Sequence, residues 1–207
     1  MRVLITGFGP FPRAPFNPSA AVAEALARRR RPALAGLVRD AHVFATRYAE
    51  IDRDLPGLLA QRPDIVLMFG LAGRTRELRI ETRARNAMFS LSPDAGKHRP
   101  QHHTIDMGAL SARAGRAPFT RLAAALRSHK VPVRVSRDAG SYLCNYAYWR
   151  ALAAAPDGRP LVLFVHIPSV HMMARPRRQL QRRSLSLRQI IGAAEDLLIA
   201  LAATAKH

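Results

Sequence analysis

Apolar and polar positions divide this chain into an alternating series of short elements. Residues 3–6 form an apolar run suited to a buried strand, followed by the loop GFGPFPRAPFNPS. Asn17 or Ser19 then caps a helix running to about residue 30, with Pro18 accommodated in its first turn. Residues 39–45 read as a second strand and residues 48–59 as a helix strained by Pro56. DIVLMFG, residues 64–70, is apolar on both alternating faces, the pattern of a central parallel strand. Residues 78–87 alternate and predict one strand, whereas residues 88–116 are polar, irregular and long for a connection.

Order returns with a helix over 118–128, a strand over 131–135 and a helix over 140–155. PLVLFVH, residues 160–166, is another buried strand, and residues 184–203 close the chain as an amphipathic helix. Strand and helix alternation without an internal repeat or linker predicts one α/β domain over 1–207. Its expected architecture is a three-layer α/β/α sandwich around a mostly parallel twisted sheet.

Composition narrows the setting. A chain of 207 residues is long enough for a sizeable core, and 48% apolar residues is ordinary for a globular protein. Its single cysteine excludes an intrachain disulfide framework and fits a reducing compartment. The start lacks a signal-peptide pattern, and no apolar run approaches the roughly 20 residues of a membrane span, so the expectation is a cytoplasmic protein without a membrane partner. A net charge of +19 raises the question of a nucleic-acid partner. Only three of the 33 basic residues are lysines, however, and the arginines are spread among alanines and prolines, a skew that coding bias also produces. Basic clusters stand out only at residues 28–31 and 175–183. Nucleic-acid binding is therefore not expected as a main role.

Three residues could carry chemistry. Cys144 stands in the first turn of the helix expected over 140–155, where the positive end of the helix favours a thiolate. His166 ends a buried strand, the edge of an α/β sheet where sites collect. A nearby imidazole would complete a nucleophile–base pair, and a carboxylate or amide would orient it. Glu81, one of only five glutamates, lies in RIETRARN in the strand expected next after the central one. Each has a plainer reading: a buried filler, a hydrogen-bonded structural histidine and a salt-bridged surface carboxylate. GFGPFP has Pro12 where a dinucleotide fingerprint needs glycine, so no nucleotide cofactor is expected. His98, His102 and His103 lack matching acidic or cysteine ligands nearby, so no metal is expected.

Four co-linear segments resemble one family: TGFGPF…NPS at 6–19, GLAGRTRELRIETRARN at 70–86, AGSYLCNYAYW at 139–149 and VHIP at 165–168. Together they are similar to the motifs of pyroglutamyl peptidase type I, the pyrrolidone-carboxylate peptidases, over nearly the whole chain. The resemblance implies a cysteine exopeptidase that removes N-terminal pyroglutamate from peptides, without metal or cofactor, as a homo-oligomer (dimer or tetramer). Position by position it implies Cys144 as nucleophile, His166 as general base and acid, and Glu81 as the orienting carboxylate. It also implies a substrate slot with Phe8 and Phe11 on the lactam ring, Asn17 reading or supporting it, and Tyr142 and Leu143 before the cysteine. Phe8 and Phe11 equally suit plain core packing.

The chain departs from the family pattern in places. Leu91 stands where an arginine is usual before Pro93-Asp94, and the later Ser-Thr-Leu-Pro patch has no counterpart. Arg137 and Asp138 put charge where neutral polar residues are usual, and PRRQLQRRSLSL is unusually basic. These departures keep open altered or weak acyl specificity, and a basic binding protein on the same fold.

Overall fold

The computed structural model describes residues 1–11, 14–89, 92–127, 131–170 and 185–206. Leu91 and the basic segment 175–183 lie outside these residues.

Strand β1 (Arg2–Phe8) leads into helix α1 (Pro18–Arg28), which starts where Asn17 accepts the Ser19 N–H and Pro18 takes the first helical position. A 3₁₀ turn (Pro32–Leu34) precedes β2 (Val38–Phe44), α2 (Tyr48–Ala60) and β3 (Ile65–Leu71). Helix α2 passes through Pro56 and buries Ile51 and Leu55. The chain continues with β4 (Leu78–Glu81), β5 (Arg83–Arg85), β6 (Ala112–Ala114), α3 (Phe119–Arg127), β7 (Val133–Ser136), α4 (Leu143–Ala153), β8 (Leu161–Ile167) and α5 (Leu187–Ala205). A capping box of Ser186 and Gln189 fixes the start of α5.

Six strands form one sheet in the order β2-β1-β3-β8-β4-β7. Pairings β1–β2, β1–β3, β3–β8 and β4–β7 are parallel; β4 alone meets β8 antiparallel. Both β3 and β8 are buried almost throughout, which is why their sequences read as continuous apolar runs rather than alternations. One face of the sheet packs on α1, α3 and α5 through side chains such as Val22, Leu67, Val165 and Leu198. The opposite face packs on α2 and α4 through Phe44, Ile51, Met68, Trp149 and Phe164. This is the three-layer α/β/α sandwich that the strand–helix alternation predicts.

Two boundaries differ from the sequence reading. The strand expected over 78–87 is broken at Thr82, and its second half, β5, leaves the main sheet to pair antiparallel with β6. The irregular segment 88–116 contains that partner strand and is held to the body by amide and carboxylate side chains. Asn86 Oδ1 accepts the backbone N–H groups of Ile105 and Asp106, at 2.8 and 2.9 Å. Asp94, 3% exposed, accepts from the N–H groups of Gly96, His98 and Tyr48. The Tyr48 bond places a loop carboxylate on the first turn of α2, whose own N-cap, Arg47, supplies no side-chain acceptor. Each of these carboxylate and amide bonds is long-range or turn-closing, and none has a hydrophobic periodicity that marks it in the sequence.

Candidate active site

The reversed strand β4 brings the glutamate to the histidine. Across the β4–β8 ladder Arg79 pairs with His166 and Glu81 with Phe164. Directly paired residues point to the same face, so Glu81 reaches diagonally to His166 on the face covered by α4. Glu81 is fully buried and His166 is 7% exposed. Glu81 Oε1 lies 2.9 Å from His166 Nδ1, and Arg79 Nε stands 3.5 Å from the same oxygen. The surface-carboxylate reading of Glu81 therefore does not describe its environment. Tyr148, buried in α4, donates to the Glu81 backbone carbonyl at 3.0 Å and steadies the strand end.

Cys144 enters from above, as the second residue of α4, and is half-buried. Its seat is Gly70 on β3, the register partner of His166. A Cβ at position 70 would come within 2.7 Å of Cys144 Sγ and 2.8 Å of the Phe164 ring. The missing side chain is thus the space in which the sulfur sits beside the imidazole, a close approach that only glycine permits. Gly7 serves the same purpose nearby: a Cβ there would meet the Ser19 carbonyl oxygen at 2.4 Å, so α1 could not dock on β1.

Cys144 and Glu81 both act on His166. Burial works to lower the imidazole pKa, but hydrogen bonding to Cys144 and Glu81, with their charges, outweighs it and pushes the value up to about 9. Of these two contacts only the one to Glu81 has regular hydrogen-bond geometry. A looser thiol–imidazole contact is common in unliganded sites, where such bonds tighten on substrate binding.

The frame around α4 is built from Asn145, which the sequence reading did not single out, and from the turn of Asp138, which it noted only as a departure. Asn145, fully buried next to Cys144, donates to the carbonyls of Arg85 and Ala87 and accepts the Arg85 N–H at 2.8 Å. It fastens the start of the helix to β5. Its signal in the sequence is a polar residue inside an aromatic helical run, which a buried hydrogen-bonding role explains. Asp138 accepts the Gly140 N–H at 3.0 Å and faces Arg85 at 3.3 Å. Burial favours protonation of Asp138, yet the Gly140 bond and the Arg85 and Arg79 charges hold its pKa below the ordinary carboxylate value. Arg79 donates to Ser136 Oγ at 2.7 Å. Asp138 is thus paired from outside its turn, and Gly140 adopts φ 84 to close that turn.

The expected substrate residues fall into two groups. Phe8 is 2% exposed with its ring 5.7 Å from Phe44, and Leu143 is 2% exposed, so both lie in the aromatic core beneath the site. Phe11 is partly exposed and bridges Ala14 within the first loop, and Tyr142, also partly exposed, donates to the Pro93 carbonyl at 2.8 Å. Asn17 shapes the first loop: its Nδ2 donates one hydrogen bond to the Gly9 carbonyl and its Oδ1 accepts from Ser19 N and Oγ.

Other surface features are quieter. In the run of residues 28–31, Arg28 pairs with Glu24, Arg29 with Glu195 and Arg31 with Asp196. Among the described residues no group of three His, Cys, Asp or Glu side chains is arranged to hold a metal ion, and no helix is long and apolar enough to cross a membrane.

Fold and site together define an α/β sandwich of the cysteine peptidase class. The comparisons with known proteins are specific: the family model for pyroglutamyl peptidase matches residues 1–206, and the chain belongs to that family. It is 32% identical over 201 residues to a pyrrolidone-carboxylate peptidase of Thermococcus onnurineus, covering 96% of this chain and 97% of that one. The corresponding Bacillus subtilis protein is 30% identical over 176 residues, covering 82% of this chain and 79% of its own. Among solved structures, pyrrolidone carboxyl peptidase from Thermococcus litoralis superposes with a TM-score of 0.87 at 26% identity, over 99% of this chain and 94% of that one. The enzyme of that name from Fervidobacterium islandicum gives 0.86 at 25% identity, over 98% and 99%.

Proposed function

We propose that this chain removes N-terminal pyroglutamate from peptides by acyl transfer, with Cys144 as nucleophile, His166 as proton carrier and Glu81 as its orienting carboxylate. The observation that carries the reading is the pairing of His166 Nδ1 with the buried Glu81, with Cys144 acting on the same ring. The raised pKa keeps His166 protonated, and the proposed reaction starts from the thiolate form of Cys144. The thiolate adds to the carbonyl that follows the lactam ring, giving a tetrahedral oxyanion. The first-turn N–H groups of α4 are suited to receive it, because Tyr142 at the N-cap places no side-chain acceptor on them; such donors contribute about 3 kcal/mol each. His166 gives its proton to the leaving amine as the C–N bond breaks, leaving a thioester and neutral imidazole. Water then attacks the thioester, His166 takes its proton, and release of pyroglutamic acid restores the thiolate–imidazolium pair.

Pyroglutamate suits the surroundings, being a small uncharged lactam with an apolar ring face. The reading takes residues 1–207 as one cytoplasmic domain that self-associates; exposed Met107 and Leu110 support the last point, and sedimentation velocity measures it. The test of the function is cleavage of a fluorogenic pyroglutamyl amide, with Cys144→Ser as control. Turnover that falls by roughly a thousandfold or more in the variant supports the reading. Equal turnover in both proteins, or none in the wild type, defeats it.

A further inference from the structure

The chain has four tyrosines. Three of them use their hydroxyls: Tyr142 donates to Pro93 O, Tyr146 to Asp52 and Tyr148 to Glu81 O. Tyr48 does not. It is 5% exposed, and its Oη has no hydrogen-bond partner among the described residues. Its position is otherwise heavily constrained. The ring sits edge-on to Tyr146 at 5.1 Å and to Tyr142 at 6.0 Å, and the Asp94 carboxylate takes its backbone N–H at 3.1 Å. Tyr48 belongs to the aromatic cluster against which Tyr142 and Cys144 pack. A buried hydroxyl without a partner destabilises a fold, and a phenylalanine would fill the same space without that cost.

The unused hydroxyl matches an unmet need of the substrate. A buried pyroglutamyl ring carries its own carbonyl, separated from the scissile carbonyl by the ring nitrogen and the α-carbon, and that oxygen needs a donor. In the acyl-transfer reading the start of α4 serves the scissile oxygen, while Asn17 commits its Oδ1 to Ser19 and one Nδ2 hydrogen to Gly9. We propose that the Tyr48 hydroxyl donates a hydrogen bond to the lactam ring carbonyl and selects for it, an assignment that rests on the pyroglutamyl reading above. Burial, together with the negative charge of Asp94, raises the Tyr48 pKa, so the group remains protonated and available as a donor.

The experiment compares Tyr48→Phe with wild type on a fluorogenic pyroglutamyl amide, using 2-pyrrolidone as a competing lactam without a scissile bond. Loss of one hydrogen bond should raise KM and the 2-pyrrolidone inhibition constant together by about tenfold, with kcat within about threefold. The variant's Tm should equal or exceed that of wild type, which a tyrosine kept for stability would not allow. Thr6, also buried with an unpartnered hydroxyl, supplies the control, and Thr6→Val should leave both constants unchanged. Unchanged constants in Tyr48→Phe overturn the proposal. So does a fall in kcat alone, which would place the hydroxyl on the oxyanion, or a loss of lactam affinity in Thr6→Val instead. If the wild type cleaves no pyroglutamyl amide, the function fails separately. Protection of Cys144 from iodoacetamide by 2-pyrrolidone then decides the lactam site: protection in wild type that is lost in Tyr48→Phe supports it, and absence of protection overturns it.

Discussion

The two faces of the sheet are built from different materials. The α1/α3/α5 side is mostly aliphatic, with Val3, Ile5, Leu67, Val165, Leu197 and Leu201 among its fully or nearly fully buried residues and, among the described residues, Phe69 as its one fully buried ring. The α2/α4 side is aromatic, holding Phe8, Phe44, Tyr48, Tyr146, Tyr148, Trp149 and Phe164. Glu81, His166 and Asn145 are buried on that second side, whereas Glu195 on the first is paired at its margin with Arg29 at 3.2 Å. Aliphatic side chains interlock at high density and resist change. Aromatic rings leave shaped gaps and flat apolar walls, and they tolerate polar groups that are held by specific partners. One face therefore supplies cohesion, and the other spends part of its cohesion on a site.

The sharpest way to break this division is to fill the one gap that the sulfur occupies. In Gly70→Ala the added methyl group meets Cys144 Sγ and the Phe164 ring at under 3 Å, so the thiol must move from the imidazole. Because misplacement by about 1 Å can cost a hundredfold in rate, kcat/KM should fall by about that factor. Unaltered kinetics would mean that the thiol does not depend on this seat. The opposite face should behave in the reverse manner. Leu198→Ala removes a fully buried side chain from α5 and should lower stability by about 3 kcal/mol, with kcat per folded molecule within about twofold. A denaturant titration beside an activity assay reads both, and a large kcat loss would show that the faces are coupled.

A further effect concerns pH. The His166 pKa is raised in the folded protein, so the stability it contributes is complete below the unfolded value of about 6.5 and is lost as pH rises through about 9. Activity should decline over the same upper range, since the imidazolium supplies the leaving amine's proton. Urea midpoints at pH 6 and pH 9.5 should differ in wild type and differ less in Cys144→Ala, which removes one of the two partners. Identical midpoints at the two pH values in wild type would contradict the coupling.

Much of the architecture was legible in the chain. Strands β3 and β8 announce themselves because burial on both faces demands uninterrupted apolar residues, and the start of α1 is written in Asn17-Pro18. Other features have no local signature. A four-residue strand such as β4 carries no mark of its direction, so its antiparallel pairing with β8 could not be read from Leu78–Glu81. The break at Thr82 is equally silent, because an alternating pattern suits one strand or two. Asp94 and Asn145 look like ordinary polar residues until their backbone partners are identified, Tyr48 for the first and Arg85 and Ala87 for the second.

By itself, the sequence determined the alternation of elements, the burial of the central strands on both faces and the chemical groups available. These follow from side-chain period and type, which are local properties. The tertiary structure decided which groups meet: that a reversed strand delivers Glu81 to His166, that Gly70 makes room for a thiol, and that Tyr48 has a hydroxyl to spare. Contacts of this kind join residues up to 85 positions apart. They are set by the packing of whole layers, for which no local stretch of sequence contains the rule.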